Sequence, residues 1–316
     1  NNSLFSGEQN IALIGYSEIS SDYLRIIGEF KDWKCKYIVT GRNDLYPERV
    51  YKKNKIQIID TISDILSDRS ITKVIIATEP SRHLEFIVPL LRRNIDVLVE
   101  KPLYNQMNKA LFDMIRNTLF ECDANLSVVS QLRFDDTMNM IRDKSLLKSP
   151  DFISLNFFTS RPKEYYHQGN KWRLTDSSVF LNQAYHWIDI LHWCFGPIDE
   201  VKFSHSSSKF GISSADTTAA SLTFSSGTIA NLYATTSTKL KKTDLKIYFN
   251  NFVIDYRFER IKNRILKIFK YFNRGSNYCL MRQQVRAFLN GERDKLVDFE
   301  TAVKILDVVL KLSRMP

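Results

Sequence analysis

No stretch of the 316 residues approaches the roughly 18 uninterrupted apolar side chains a helix needs to cross a bilayer. A leader pattern is missing too, since residues 1–10 hold no basic segment followed by an apolar one. The expectation is a soluble, unsecreted chain in the cytoplasm. Cysteine is scarce: Cys35, Cys122, Cys194 and Cys279 lie far apart, with no CxxC pair and no histidine spaced to complete a zinc site. Reduced thiols and no metal are expected. The apolar share, 44%, is too high for disorder, and the length suits two domains.

A net charge of +10 raises the question of nucleic acid, and its distribution answers it. Residues 239–275 carry eleven Lys or Arg against three acids, so nearly all the excess sits in one segment. A continuous basic groove that tracks phosphates is therefore excluded. Within that segment, residues 258–272 place Phe258, Ile261, Ile265, Ile268, Phe269 and Phe272 at three- and four-residue spacing among basic side chains. The pattern predicts a basic amphipathic helix, either covering the sheet or touching an anionic membrane surface through residues 257–274.

The first apolar run, Ile11-Ala-Leu-Ile14, ends at Gly15 and leads into helical spacing over residues 19–30. Further strands are expected at 35–40, 55–59, 73–77, 96–100 and 125–130, with helices near 61–66, 81–93 and 105–120. Apolar strands alternating with helices predict a doubly wound parallel sheet, because parallel neighbours need a crossover of about a dozen residues or more. From residue 151 the pattern becomes period two, at 152–158, 200–204, 219–224, 229–235 and 245–249, with helical stretches at 180–195, 281–289 and 300–312. An α+β domain with an open, mostly antiparallel sheet follows.

At the first turn the hexamer Gly15-Tyr-Ser17-Glu-Ile19-Ser20 keeps one glycine of the dinucleotide pattern GxGxxG, with small serines at the other two positions. After the second strand, Thr40-Gly41-Arg42 offers a hydroxyl and a guanidinium, which suit a 2′-phosphate better than a bare diol, so NADP is favoured over NAD. Then come Ala77-Thr78-Glu79-Pro80-Ser81-Arg82-His83 and Glu100-Lys101-Pro102. These resemble the "ATP-x-x-x-H" and "EKP" signatures of the Gfo/Idh/MocA oxidoreductases. The resemblance continues at Gln131-Leu-Arg133-Phe134, Trp172-Arg173, Asn182-Gln183-Ala-Tyr-His186-Trp-Ile-Asp189 and Asp216-Thr217.

The resemblance implies a Rossmann domain over residues 1–123 and a substrate-binding, oligomer-forming domain over 124–316. It implies cofactor contacts from Gly15, Ser17, Ile19, Thr40, Arg42, Thr78, Pro80, His83, Glu100, Lys101, Trp172 and Arg173. Substrate would meet Lys101, Arg133, Tyr165, Asn182, Gln183 and His186. Lys101 would polarise the reacting oxygen and His186 would exchange its proton, the pair lying beside Asn182, where most members have Asp. An amide can orient a hydroxyl but holds no negative charge beside His186. The expected activity is hydride transfer with a secondary hydroxyl of a sugar-like substrate, extending to a nucleotide sugar of surface-polysaccharide assembly. A ligand-binding protein that has lost turnover is the alternative, favoured by Asn182 and the reduced glycine loop.

Overall fold

The computed structural model describes residues 9–41, 55–167, 172–175, 178–259 and 277–314. The chain divides into two compact units, residues 1–129 with 281–302 and residues 130–280 with 303–316. The expected boundary at 123/124 therefore moves, for two reasons. A sixth strand of the first sheet lies at Leu126–Val128, and a late segment returns to that sheet.

In the first unit β1 (Gln9–Ile14), β2 (Trp33–Val39), β3 (Gln57–Ile59), β4 (Ile71–Ile76), β5 (Asp96–Val99) and β6 (Leu126–Val128) are all parallel. Their order is β6-β5-β4-β1-β2-β3. Helices on both faces explain the apolar runs. Ile11, Ala12, Leu13, Val74, Ile75, Ile76, Val97, Leu98 and Val99 are all fully buried. The crossovers include α1 (Glu18–Ile27), the short α2 (Ser63–Ser67), α3 (His83–Leu91) and α4 (Lys109–Glu121). Helix α4 starts four residues later than expected, because the Asn108 side chain caps it by accepting from the Leu111 amide at 3.1 Å.

The second unit opens with a 3₁₀ turn (Gln131–Phe134) and α5 (Asp136–Leu147). Its sheet contains β7 (Phe152–Ser160), β8 (Ile198–Ser207), β9 (Thr217–Phe224), β10 (Ile229–Thr235), β11 (Ser237–Phe249) and β12 (Phe252–Glu259). The order is β12-β11-β7-β10-β9-β8, antiparallel throughout except for β7 beside β10. Strand β12 runs to Glu259, so the expected helix over 258–272 begins as strand at its first two residues, and residues 260–276 lie outside the described part. Short helical turns α6 (Lys163–Tyr166) and α7 (Trp172–Thr175) precede a π-helical turn (Val179–Gln183) and α8 (Tyr185–Phe195). Helix α8 is apolar on most sides and crosses one sheet face, with Trp187 6.0 Å from Tyr256 of β12 and Phe195 6.1 Å from Phe224 of β9.

The last segment comprises α9 (Asn277–Asn290), β13 (Val297–Asp298) and α10 (Phe299–Ser313). Strand β13 pairs antiparallel with β6, Val297 opposite Val128, and completes the seven-stranded first sheet.

Candidate active site

The order of the first sheet reverses between β1 and β4, and the carboxyl ends of those strands are where a doubly wound sheet takes its ligand. Gly15 makes the turn there with φ +91°. A Cβ on it would lie 2.8 Å from the backbone carbonyl of Ala77, so glycine is required by both conformation and space. Ser20, which replaces the third glycine, is fully buried. Its hydroxyl donates to the Gly15 carbonyl at 3.2 Å and accepts from the Ser17 amide at 3.1 Å. The serines thus rebuild the turn that the missing glycines would have made, at the cost of one amide otherwise open to a phosphate. Glu18 adds an exposed carboxylate in the first turn of α1, an unfavourable charge for a diphosphate at that helix end. Ser17 and Ile19 remain accessible beside it, Thr40 follows β2 and is buried, and Arg42 lies outside the described residues. The cradle fits a dinucleotide, with fewer free donors than a three-glycine loop.

The next two loops are tied together by His83. It is 0% exposed, with Nδ1 3.0 Å from the Pro102 carbonyl oxygen and Nε2 3.1 Å from that of Thr78. The expected cofactor contact of His83 is corrected on this ground. A ring with no accessible surface is packed between the Thr78 loop and the Lys101-Pro102 loop instead, the single N–H of its neutral form donating to a carbonyl of one of them. Pro80 is buried in the 3₁₀ turn (Pro80–Arg82) that follows, while Thr78 stays half-exposed. Burial pushes the His83 imidazole down from 6.5 to about 4, with the carbonyls of Thr78, Leu103 and Pro102 pulling the other way. Between those values the unfolded chain holds the extra proton, so this site loses stability as pH falls from about 6.5 towards 4. We expect His83→Gln to flatten the stability–pH curve relative to wild type by about 2–3 kcal/mol between pH 7.5 and 4.5 in urea melts. Parallel curves would refute the assignment.

Glu100 points back into the first unit. Tyr23 Oη donates to its Oε1 at 2.5 Å, and the Lys101 amide donates to its Oε2 at 3.2 Å. Burial raises the Glu100 carboxyl above its ordinary value, opposed by the Lys101 charge and these hydrogen bonds, and burial also raises Tyr23. Glu100 therefore supports the Lys101 loop from inside, and Lys101 itself is half-buried at the carboxyl end of β5.

In the second unit Asn182 and His186 occupy successive helical segments. The π turn ends at Gln183, Ala184 interrupts, and α8 starts at Tyr185. The helical stretch expected over 180–195 is thus two segments rather than one; such one-turn π segments recur at functional sites. His186 is half-buried, its ring edge-on to Tyr185 with centroids 6.2 Å apart. Asn182 Nδ2 and Gln183 Nε2 both donate to Tyr165 Oη, at 3.1 and 3.0 Å. The three side chains expected at the substrate from this stretch thus form one polar cluster.

Arg133 does not join them. It is 5% exposed, and its Nε and Nη2 donate to the two carboxylate oxygens of Asp189, at 3.0 and 2.5 Å, with Ser130 Oγ also donating to Asp189. The expected substrate contact is corrected, because a buried guanidinium needs its charge and protons matched within the protein. Asp189, three residues beyond His186 on α8, was part of the motif, but pairing across 56 residues has no sequence signal. The Trp172 side chain lies outside the described residues, whereas Arg173 is half-exposed. Among the described residues no group of three His, Cys, Asp or Glu could hold a metal ion.

The structure is similar to the WlbA dehydrogenase from Bordetella pertussis in complex with NADH and UDP-GlcNAcA (19% identity, TM-score 0.80, covering 98% of this chain and 96% of that one). It is also similar to a myo-inositol dehydrogenase from Corynebacterium glutamicum (17%, 0.74, 96% and 95%). A third similar structure is GenD2 from gentamicin A biosynthesis in complex with NAD (14%, 0.76, 98% and 94%). At these identities the likeness establishes the fold. No curated protein sequence matches the chain. Two family models match it in order, the oxidoreductase family with NAD-binding Rossmann fold over residues 9–118 and the GFO/IDH/MocA C-terminal domain over residues 149–254. With both domains matched and the motif residues at the ends of β1, β4, β5 and the π turn, the chain belongs to the Gfo/Idh/MocA family of NAD-binding oxidoreductases.

Proposed function

We propose that the protein transfers a hydride to or from a secondary hydroxyl or carbonyl carbon of a sugar-like substrate, a nucleotide-linked sugar fitting best. The observation that carries this reading is the match of both domains to one oxidoreductase family, with Lys101 and His186 retained in their motifs. A bound nicotinamide dinucleotide supplies the hydride acceptor or donor. Gly15, Ser17, Ile19, Thr40 and Thr78 would hold it, and Arg42 would take a 2′-phosphate. Lys101 polarises the reacting oxygen, and His186 takes the hydroxyl proton when the alcohol is oxidised and returns it on reduction. Asn182 orients the hydroxyl without adding charge. Of the similar structures, one holds UDP-GlcNAcA and another is a myo-inositol dehydrogenase, which supports the substrate class.

The reading extends to a homo-oligomer formed through the second sheet, where the half-exposed aromatic pairs Phe152–Tyr248 and Phe158–Tyr233 lie on one face. Cytoplasmic placement fits the absence, among the described residues, of any helix long and apolar enough to cross a membrane. Peripheral membrane contact through 257–274 concerns residues mostly outside the described part. A second reading, ligand binding without turnover, is favoured by Asn182 and by the Glu18 carboxylate at the start of α1.

Calorimetric titration with NAD, NADH, NADP and NADPH separates the two. Micromolar binding, tighter for the phosphorylated pair, is expected. A folded sample that binds none of the four removes the dehydrogenase reading.

A further inference from the structure

The cluster around Tyr165 is rich in donors, and Arg161 brings to it a charge that its own hydrogen bonds to a neutral amide do not cancel. Two guanidiniums lie against the ring, Arg161 Cζ at 5.0 Å from the centroid and Arg173 Cζ at 4.8 Å. Arg161 donates through Nε and Nη2 to Gln183 Oε1, at 3.2 and 2.7 Å. A guanidinium only donates, so this fixes the Gln183 amide with its NH₂ towards Tyr165. The phenol oxygen then accepts from both Gln183 and Asn182, and its own O–H is left to donate outward.

Charge points the same way. Arg161 has no carboxylate partner among the described residues. Glu164, three residues along, does not pair with Arg161, and the fully buried Asp216 is satisfied by Thr217 Oγ1 at 2.8 Å and the Phe210 amide at 2.9 Å. All five side chains are half-buried, neither sealed in a core nor freely solvated. Stacking on the ring holds the planar forks in place, which lowers the entropy lost when they grip a ligand.

We propose that Arg161 and Arg173, stacked on Tyr165, form an oxyanion clamp that binds a carboxylate or phosphate group of the substrate. This deepens the sugar-dehydrogenase reading and rests on it for the identity of the substrate, although not for the anion chemistry. The chemistry comes from either of two sources, a uronic-acid carboxylate or the diphosphate of a nucleotide sugar. A neutral free sugar offers the clamp nothing.

The test is calorimetric titration of wild type, Arg161→Leu and Arg161→Lys with UDP-glucuronate, UDP-glucose, glucuronate and glucose, with NADH titrated into each sample. Arg161→Leu is expected to weaken UDP-glucuronate by about 10- to 100-fold, the range for losing a charge-assisted pair, with NADH unchanged within about twofold. Arg161→Lys keeps the charge but not the fork and falls between, and it carries the comparison if the leucine variant does not fold. A loss shared with glucuronate assigns the carboxylate, and a loss shared with UDP-glucose assigns the diphosphate; either supports the clamp. Wild type binding no anionic probe, or equal affinities in wild type and variants that still bind NADH, overturns the clamp and leaves the dehydrogenase reading standing. Arg161-dependent binding of a probe by a protein that binds no NADH keeps the clamp and removes that reading.

Discussion

Asp189→Ala is expected to lower the unfolding free energy by about 3–5 kcal/mol, among the largest single-residue effects in the second unit. The aspartate is 1% exposed and accepts three hydrogen bonds, two from Arg133 and one from Ser130. Alanine leaves the Arg133 guanidinium buried without its counter-charge, and that uncompensated charge is the main cost rather than the loss of the pair itself. Arg133 also lies 5.5 Å from the ring of Trp193, which Arg142 flanks at 4.6 Å, so Trp193 fluorescence reports locally on the loss. In urea unfolding, a double variant with apolar residues at both positions should recover much of the deficit. If Asp189→Ala costs less than about 1 kcal/mol, the pair is not the buried device described here.

Lys101→Met should reduce kcat/KM by roughly 100- to 10,000-fold while the NADH dissociation constant stays within about threefold. The half-buried ammonium stands at the end of β5, on a loop fixed from two sides: His83 anchors the Pro102 and Leu103 carbonyls, and Glu100 accepts the Lys101 amide. A methionine keeps the length and apolar stem while removing the charge proposed to polarise the reacting oxygen. Loss confined to turnover would place Lys101 at the reacting atoms. A variant with near wild-type kcat would show that another group carries the polarisation.

The first sheet was legible because its central strands are covered on both faces and so read as unbroken apolar runs, β4 and β5 above all. The antiparallel strands were legible by alternation, and residues 229–235 coincide with β10. Helix α5 gave no expectation, because only Met138, Ile141 and Ser145 are buried among polar side chains and its start depends on the Asp135 cap. The π turn before α8 was invisible for a different reason. One extra residue in a helical turn changes no composition and hardly alters the apolar period. At the site, the motif residues gave the ends of the strands, but roles were misassigned wherever a distant partner decides them. His83 depends on carbonyls 19 and 20 residues away, and Arg133 on Asp189. Nothing in the sequence brings Arg161 and Arg173 to one ring; only the fold stacks both on Tyr165.

The return of residues 281–302 to the first unit sets an order of events during synthesis. As the nascent chain leaves the ribosome, β1 to β6 emerge early, yet the outer edge of β6 has no neighbour until β13 is made. Through all the time the second unit is being translated, that edge is an unpaired template for other chains. The dinucleotide fold is thus begun first but closed only after residues 130–280 have been made, just before residues 303–316 complete the second unit. A fragment ending at residue 130 would carry the same raw edge, and supplying residues 281–302 by circular permutation, ahead of β1, would let the unit close before the second one is translated.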